Sequence, residues 1–152
     1  MKRRDTKHIL IAEDTPDDQI LLRRALERVK KECPDFTYVM VENGMEAQRY
    51  LEGKETYADQ EKYPVAALVL SDIKMPVMDG FELLKWVRDH RGMARTPVIL
   101  FSTSNMQKDI QRAYDLGANT FFTKPHNPAQ LEHWAKTFAE YWCKLAATAE
   151  PA

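Results

Sequence analysis

The sequence predicts an α/β domain, a doubly wound parallel sheet with helices on both faces. Two observations predict it. Five short apolar runs alternate with five longer segments of helical character. Three of those runs are apolar almost throughout, as expected of parallel strands buried on both faces.

The runs are Ile9 to Ala12, Phe36 to Val41, Val65 to Leu70, Val98 to Phe101 and Thr120 to Thr123. Phe36 to Val41 carries more polar positions and reads as a strand nearer an edge. Between the runs stand helix signals. Thr15-Pro16-Asp17-Asp18 offers an N-cap hydroxyl, proline at the first helical position and acids in the first turn. Leu22, Ala25, Leu26 and Val29 follow at helical spacing. Ser104 and Gln107 form a capping-box pattern, and Gly117 stops that helix. Asn127-Pro128 opens the last helix, whose stripe is Leu131, Trp134, Ala135, Phe138, Trp142 and Leu145. Residues 53–64 fit no element and read as a surface insertion within a domain spanning 8–145. Residues 1–7 read as an extension and 146–152 as a flexible tail.

Composition narrows the class. The chain has 152 residues, 44% hydrophobic and 30% charged, enough apolar material for one ordered domain. With 22 basic and 23 acidic side chains it has no basic field for nucleic acid and no acidic tail. Val65 to Leu70, the longest apolar run, is far short of the ~20 residues of a membrane span. Two cysteines, Cys33 and Cys143, lack metal-type spacing. The expectation is a cytoplasmic domain that binds neither membrane nor nucleic acid.

Function is legible at the strand ends, because open parallel sheets bind ligands beyond the carboxyl ends of their strands. The first run ends in Glu13-Asp14, the third in Ser71-Asp72, the fourth in Ser102-Thr103-Ser104 and the fifth in Lys124-Pro125. Glu13, Asp14 and Asp72 crowd three negative charges against the single charge of Lys124. A divalent cation with oxygen ligands relieves that repulsion, and Mg²⁺ suits a site that must also accept a phosphate. Lys124 and the Ser102 hydroxyl can then hold phosphoryl oxygens while a carboxylate attacks phosphorus.

Those residues, with the segment Asp72-Ile73-Lys74-Met75-Pro76-Val77-Met78-Asp79-Gly80, resemble the receiver domain of bacterial response regulators from about His8 to Lys144. The resemblance implies the flavodoxin-like receiver fold with strand order 2-1-3-4-5, and phosphorylation of Asp72 by a sensor histidine kinase. It implies that Asp14, Asp72 and the backbone carbonyl of Lys74 bind Mg²⁺, with Glu13 assisting through water. Lys124 contacts the phosphoryl group, and its bond to Pro125 is cis. Ser102 and Phe121 take the positions of the switch pair, although phenylalanine lacks the hydroxyl of the family's tyrosine. Lys74 and Ser104, each two residues beyond Asp72 and Ser102, are expected to tune the phosphate lifetime.

The opening Ile9 to Asp18, the insertion, Arg112 to Asn119 and Tyr141-Trp142 look like single-domain regulators of the phytochrome-associated type. That likeness points to a bacteriophytochrome or similar photoreceptor kinase. Such a regulator is no turnover enzyme, and with no output domain expected it signals by protein contact. The expected surface is a homodimer on the last helix, using Trp134, Phe138, Tyr141 and Trp142.

Three other readings compete. One is a phosphorelay intermediate that passes its phosphate to a histidine phosphotransfer protein. A Mg²⁺-dependent aspartyl-phosphate phosphatase would need an acid two residues after its nucleophile, where Lys74 stands. A flavodoxin-type electron carrier would place a flavin phosphate against Glu13-Asp14. The basic residues Arg23, Arg24, Arg28, Lys30 and Lys31 read as a solvated helix face, and the four histidines as surface or packing residues.

Overall fold

A computed structural model describes residues 6–149; the ends of the expected extension and tail, 1–5 and 150–152, lie outside them. Strands β1 (Lys7–Ala12), β2 (Phe36–Val41), β3 (Leu68–Ser71), β4 (Val98–Ser102) and β5 (Thr120–Thr123) form one parallel sheet in the order β2-β1-β3-β4-β5. Helices α1 (Pro16–Glu32), α2 (Gly44–Glu52), α3 (Gly80–Asp89), α4 (Gln107–Asp115) and α5 (Pro128–Ala139) connect and follow the strands.

The period-2 alternation of the strands divides the core into two layers. Ile9, Ile11, Leu68, Leu70, Ile99 and Phe101 face α1 and α5, where Leu22, Leu26, Ala135 and Phe138 cover them. Leu10, Ala12, Val69, Val98 and Leu100 face the other way and pack under Leu83, Leu84, Val87 and Ala113. β2 and β5 are the edges, and both are only partly buried. The chain runs from β1 outward to β2 and then back across to β3, so the connections diverge at the carboxyl ends of β1 and β3. Ala12 pairs with Ser71 in register, which brings Glu13 and Asp72 side by side at that divergence.

Several local expectations need correction. β3 begins at Leu68 rather than Val65, because pairing with β1 starts at Ile9 and leaves Val65 exposed. Thr15 stands at the N-cap of α1, but its hydroxyl makes no capping bond. α4 begins at Gln107 with Met106 rather than Ser104 at the N-cap, and the Ser104 hydroxyl instead accepts from the Met106 N–H and donates to Asp109. The 53–64 segment is anchored at the surface. Tyr57 and Tyr63 pack with Tyr50 in a cluster of three rings, and the Tyr57 hydroxyl donates to Glu46 Oε2 at 3.0 Å. Of the two roles expected for the histidines, His8 takes the packing one: it is buried and hydrogen-bonded on both ring nitrogens.

The last helix departs furthest. After Ala139 it widens into a π-helical turn, Glu140–Leu145. The larger turn rotates the stripe, so Cys143 enters the core and Leu145 becomes 75% exposed. Phe138 is 2% exposed, and Trp134 stacks between Phe101 and Phe138 with centroids 4.3 and 4.9 Å away. Both belong to the core. Of the expected interface residues, Tyr141 is exposed and Trp142 half-buried.

Candidate functional site

The site is built from the carboxyl ends of β1, β3, β4 and β5. Glu13 leaves β1 still bonded to β2 through its N–H and Val41 O, 3.0 Å apart. Its side chain turns inward and is almost wholly buried. Asp72 leaves β3 with its N–H on Ala12 O at 2.9 Å. Its Oδ1 accepts from the Ile73 N–H at 2.7 Å, which orients the carboxylate and leaves Oδ2 to the Lys124 ammonium. Lys124 N–H donates to Ser102 O at 2.7 Å, setting the fifth strand end beside the fourth.

Lys124 joins these ends. Its Nζ lies 2.5 Å from Glu13 Oε1, 3.0 Å from Asp72 Oδ2 and 3.1 Å from Asp18 Oδ2. Carboxylate oxygens of Glu13, Asp14 and Asp72 lie within 4.8 Å of one another. This hard-oxygen set suits a divalent cation. Burial, with the charge of Asp72 adding to it, pushes the Glu13 carboxyl up to about 7 despite the lysine. For Lys124, burial works against the charged form, but the hydrogen bonds and charges of Glu13 and Asp72 outweigh it and hold the ammonium protonated.

The loop from Asp72 to Gly80 is folded tightly. Gly80 N–H donates to Ile73 O at 2.8 Å, and Asp79 caps α3 in a reciprocal capping box with Glu82. Met78 N–H donates to Pro76 O at 2.7 Å around Val77, whose φ of 69° makes this a strained γ-turn. Lys74 is exposed and lines a cleft of about 550 Å³ with Asp14, Ser102, Ser104, Asp109 and Arg112.

Ser102 is buried, and its Oγ accepts from the Ser104 N–H at 3.1 Å. Ser104 Oγ donates to Asp109 Oδ2 at 2.6 Å, so that hydroxyl turns toward α4. Phe121 is half-buried against the α3 side, and its N–H donates to the Tyr114 hydroxyl at 3.1 Å. The Lys124–Pro125 peptide is trans, against the cis bond that the resemblance implied. The isomers of an X–Pro bond differ by only about 0.5–1 kcal/mol, so the motif alone does not decide between them.

Sequence reasoning missed Asp18 and Asp109. Asp18 carried a weak signal: it is an acid in the first turn of α1, the helix that leaves the Glu13-Asp14 strand end. Asp109 carried none, since its tie to Ser104 depends on where α4 starts.

Residues 9–136 match the family described as response regulator receiver domain. The response regulator Rcp1 of Synechocystis is 28% identical over 136 residues, which cover 90% of this chain and 88% of that protein. The phosphorylated cyanobacterial phytochrome response regulator RcpA superposes with a TM-score of 0.84 at 33% identity, over 95% of this chain and 99% of that one. The Mn²⁺-bound form of Rcp1 superposes with a TM-score of 0.81 at 26% identity, over 94% and 99%. With the family match spanning most of the chain and the strand order and strand-end residues in place, this chain belongs to the response regulator receiver domain family.

Proposed function

We propose that the chain is a stand-alone phosphoacceptor, in which Asp72 takes a phosphoryl group from a histidine of a sensor kinase. One observation carries the reading: Asp72 Oδ2 accepts from Lys124 Nζ at 3.0 Å, and an Asp72 carboxylate oxygen lies within 4.8 Å of those of Glu13 and Asp14. In the transfer an Asp72 oxygen forms a bond to phosphorus as the P–N bond to the kinase histidine breaks. The electron pair stays on the imidazole nitrogen. Asp14, Asp72 and the Lys74 carbonyl would hold Mg²⁺, with Glu13 behind them, and the ion supplies charge neutralisation at the phosphoryl oxygens. The Mn²⁺-bound relative supports a divalent ion here.

Lys124 pairs with one phosphoryl oxygen and the Ser102 hydroxyl with another. Drawing Ser102 inward withdraws its oxygen from the Ser104 amide and vacates space into which Phe121 turns. The state is passed on by contact: exposed Tyr141 and Leu145 on the last turn favour a homodimer there. Since RcpA is named a phytochrome response regulator, the proposed kinase is a bacteriophytochrome-type photoreceptor, and the proposed setting is the cytoplasm. Onward transfer to a histidine phosphotransfer protein would use the same acyl phosphate. A phosphatase is disfavoured by the exposed Lys74 two residues beyond Asp72.

The test is direct. Incubated with Mg²⁺ and a small phosphodonor, the wild type should become labelled and Asp72→Asn should not. Equal labelling of the two overturns the reading.

A further inference from the structure

An ammonium has three N–H donors, and at Lys124 the structure fills all three, with Glu13, Asp72 and Asp18. The three acceptors differ in what their release costs. The side chain of Glu13 is 3% exposed and that of Asp72 is 11% exposed. Without the ammonium, or another cation in its place, each is a poorly solvated charge. Asp18 is 38% exposed, so water replaces a lost N–H there at little cost. Asp18 also stands outside the trio of carboxylates whose oxygens converge.

A phosphoryl group arriving at Asp72 needs an N–H of Lys124, and Asp18 is the partner that gives one up most cheaply. We propose that Asp18 is a positioning residue that competes with the phosphoryl group for Lys124, holding the ammonium in the resting site and being displaced on phosphorylation. The inference rests on the phosphoacceptor reading of Asp72.

The chemistry of the competition makes Asp18 a selectivity device. It occupies a donor that the incoming anion needs, and its own negative charge stands 3.1 Å from the ammonium that the anion must reach. A protein donor brings binding energy from contacts elsewhere and overcomes both effects. A small anionic phosphodonor has no such contacts and meets the full opposition. Asp17, in the same turn of α1, supplies the control: it is exposed and carries the same charge, but makes no contact with Lys124.

The experiment uses the full chain with saturating Mg²⁺. It measures the rate of labelling by acetyl phosphate, and the affinity for beryllofluoride read from tryptophan fluorescence. In the labelling reaction the Asp72 oxygen–phosphorus bond forms as the phosphorus–oxygen bond to acetate breaks, and acetate leaves with the electron pair. Asp18→Asn and Asp18→Ala should each raise both quantities on the order of fivefold. Asp18→Glu, which restores the charge, should return them toward wild type. Asp17→Asn should change them less than about twofold. The increase for Asp18→Asn should persist at about 0.5 M salt, where a through-solvent field is screened but a direct contact is retained. No increase, a decrease, or an equal increase in Asp17→Asn overturns the proposal. Labelling of Asp72→Asn at the wild-type rate overturns the phosphoacceptor reading itself, so the two failures are told apart.

Discussion

Gly80 lies directly against the backbone of Asp72. A Cβ at Gly80 would overlap the Asp72 carbonyl oxygen and come within 2.9 Å of Ile73 Cα. The first residue of α3 therefore touches the strand end that carries the proposed phosphoacceptor, and the hydrogen bond from Gly80 N–H to Ile73 O closes the loop. Both sides of the contact are backbone, so neither can swing aside. Gly80→Ala should cost roughly 3 kcal/mol in urea unfolding, through a forced shift of the Asp72 loop. A loss under about 0.5 kcal/mol would show that the loop yields freely.

Val77 stores strain in the same loop. A β-branched residue at a φ of 69° is an outlier, and its 76% exposure leaves it little packing in return. Val77→Gly removes a strain of about 1–3 kcal/mol and adds an unfolded-state entropy cost of about 0.5–1 kcal/mol. The variant should be more stable by about 1 kcal/mol. A variant less stable than wild type would show that Val77 is held there by contacts, not against its preference.

How far the sequence foretells the molecule depends on the range of the interaction concerned. β2 and β5 run over the residues that their apolar and β-branched runs mark, because strand burial is written locally. The four functional strand ends follow from those strands plus the rule for parallel sheets. Failures begin where a partner far along the chain decides the outcome. The start of β3 is set by where β1 begins to pair, not by the apolar character of Val65. Arg88 carries no local signal of its role. Yet its guanidinium donates to Thr96 O at 2.6 Å, Asn119 Oδ1 at 2.7 Å and Gly117 O at 2.9 Å, tying two turns to the helix. The π-helical turn is invisible to a 3.6-residue period, which is why Leu145 was placed on the buried stripe.

His8 makes stability depend on pH. Tyr50 donates its hydroxyl proton to Pro64 O at 2.6 Å, so its oxygen accepts from His8 Nε2 at 2.7 Å. Nδ1 is then free to accept from the Thr37 hydroxyl at 2.6 Å. The neutral ring is satisfied on both sides, and burial lowers its pKa from 6.5 to about 4. Between these values the unfolded chain binds a proton that the folded chain refuses. This stability is therefore present above pH 6.5 and lost as pH falls toward about 4, by up to roughly 3 kcal/mol. His8→Gln, which does not titrate, should flatten the fall in unfolding free energy between about pH 7 and pH 4.5. Parallel curves for the two proteins would exclude His8 as the source.

Lys74 and Ser104 bear on the lifetime of the proposed acyl phosphate, and the structure separates them. Each stands two residues beyond a key strand-end side chain, and both line the cleft. The Ser104 hydroxyl is committed: it donates to Asp109 Oδ2 and accepts from the Met106 N–H at 3.3 Å, so it points toward α4. Lys74 is exposed at the rim, with a four-carbon stem long enough to lie across the phosphoryl group. Water must reach phosphorus in line with the bond to Asp72, and a side chain lying there excludes it. Lys74→Ala should therefore shorten the phosphate lifetime on the order of fivefold, equivalent to about 1 kcal/mol of barrier. Ser104→Ala acts only through the loop and should change it by less than about twofold. Loss of label after removal of the donor measures both. Equal lifetimes for wild type and Lys74→Ala would mean that water reaches the phosphoryl group by a route that avoids the Lys74 rim.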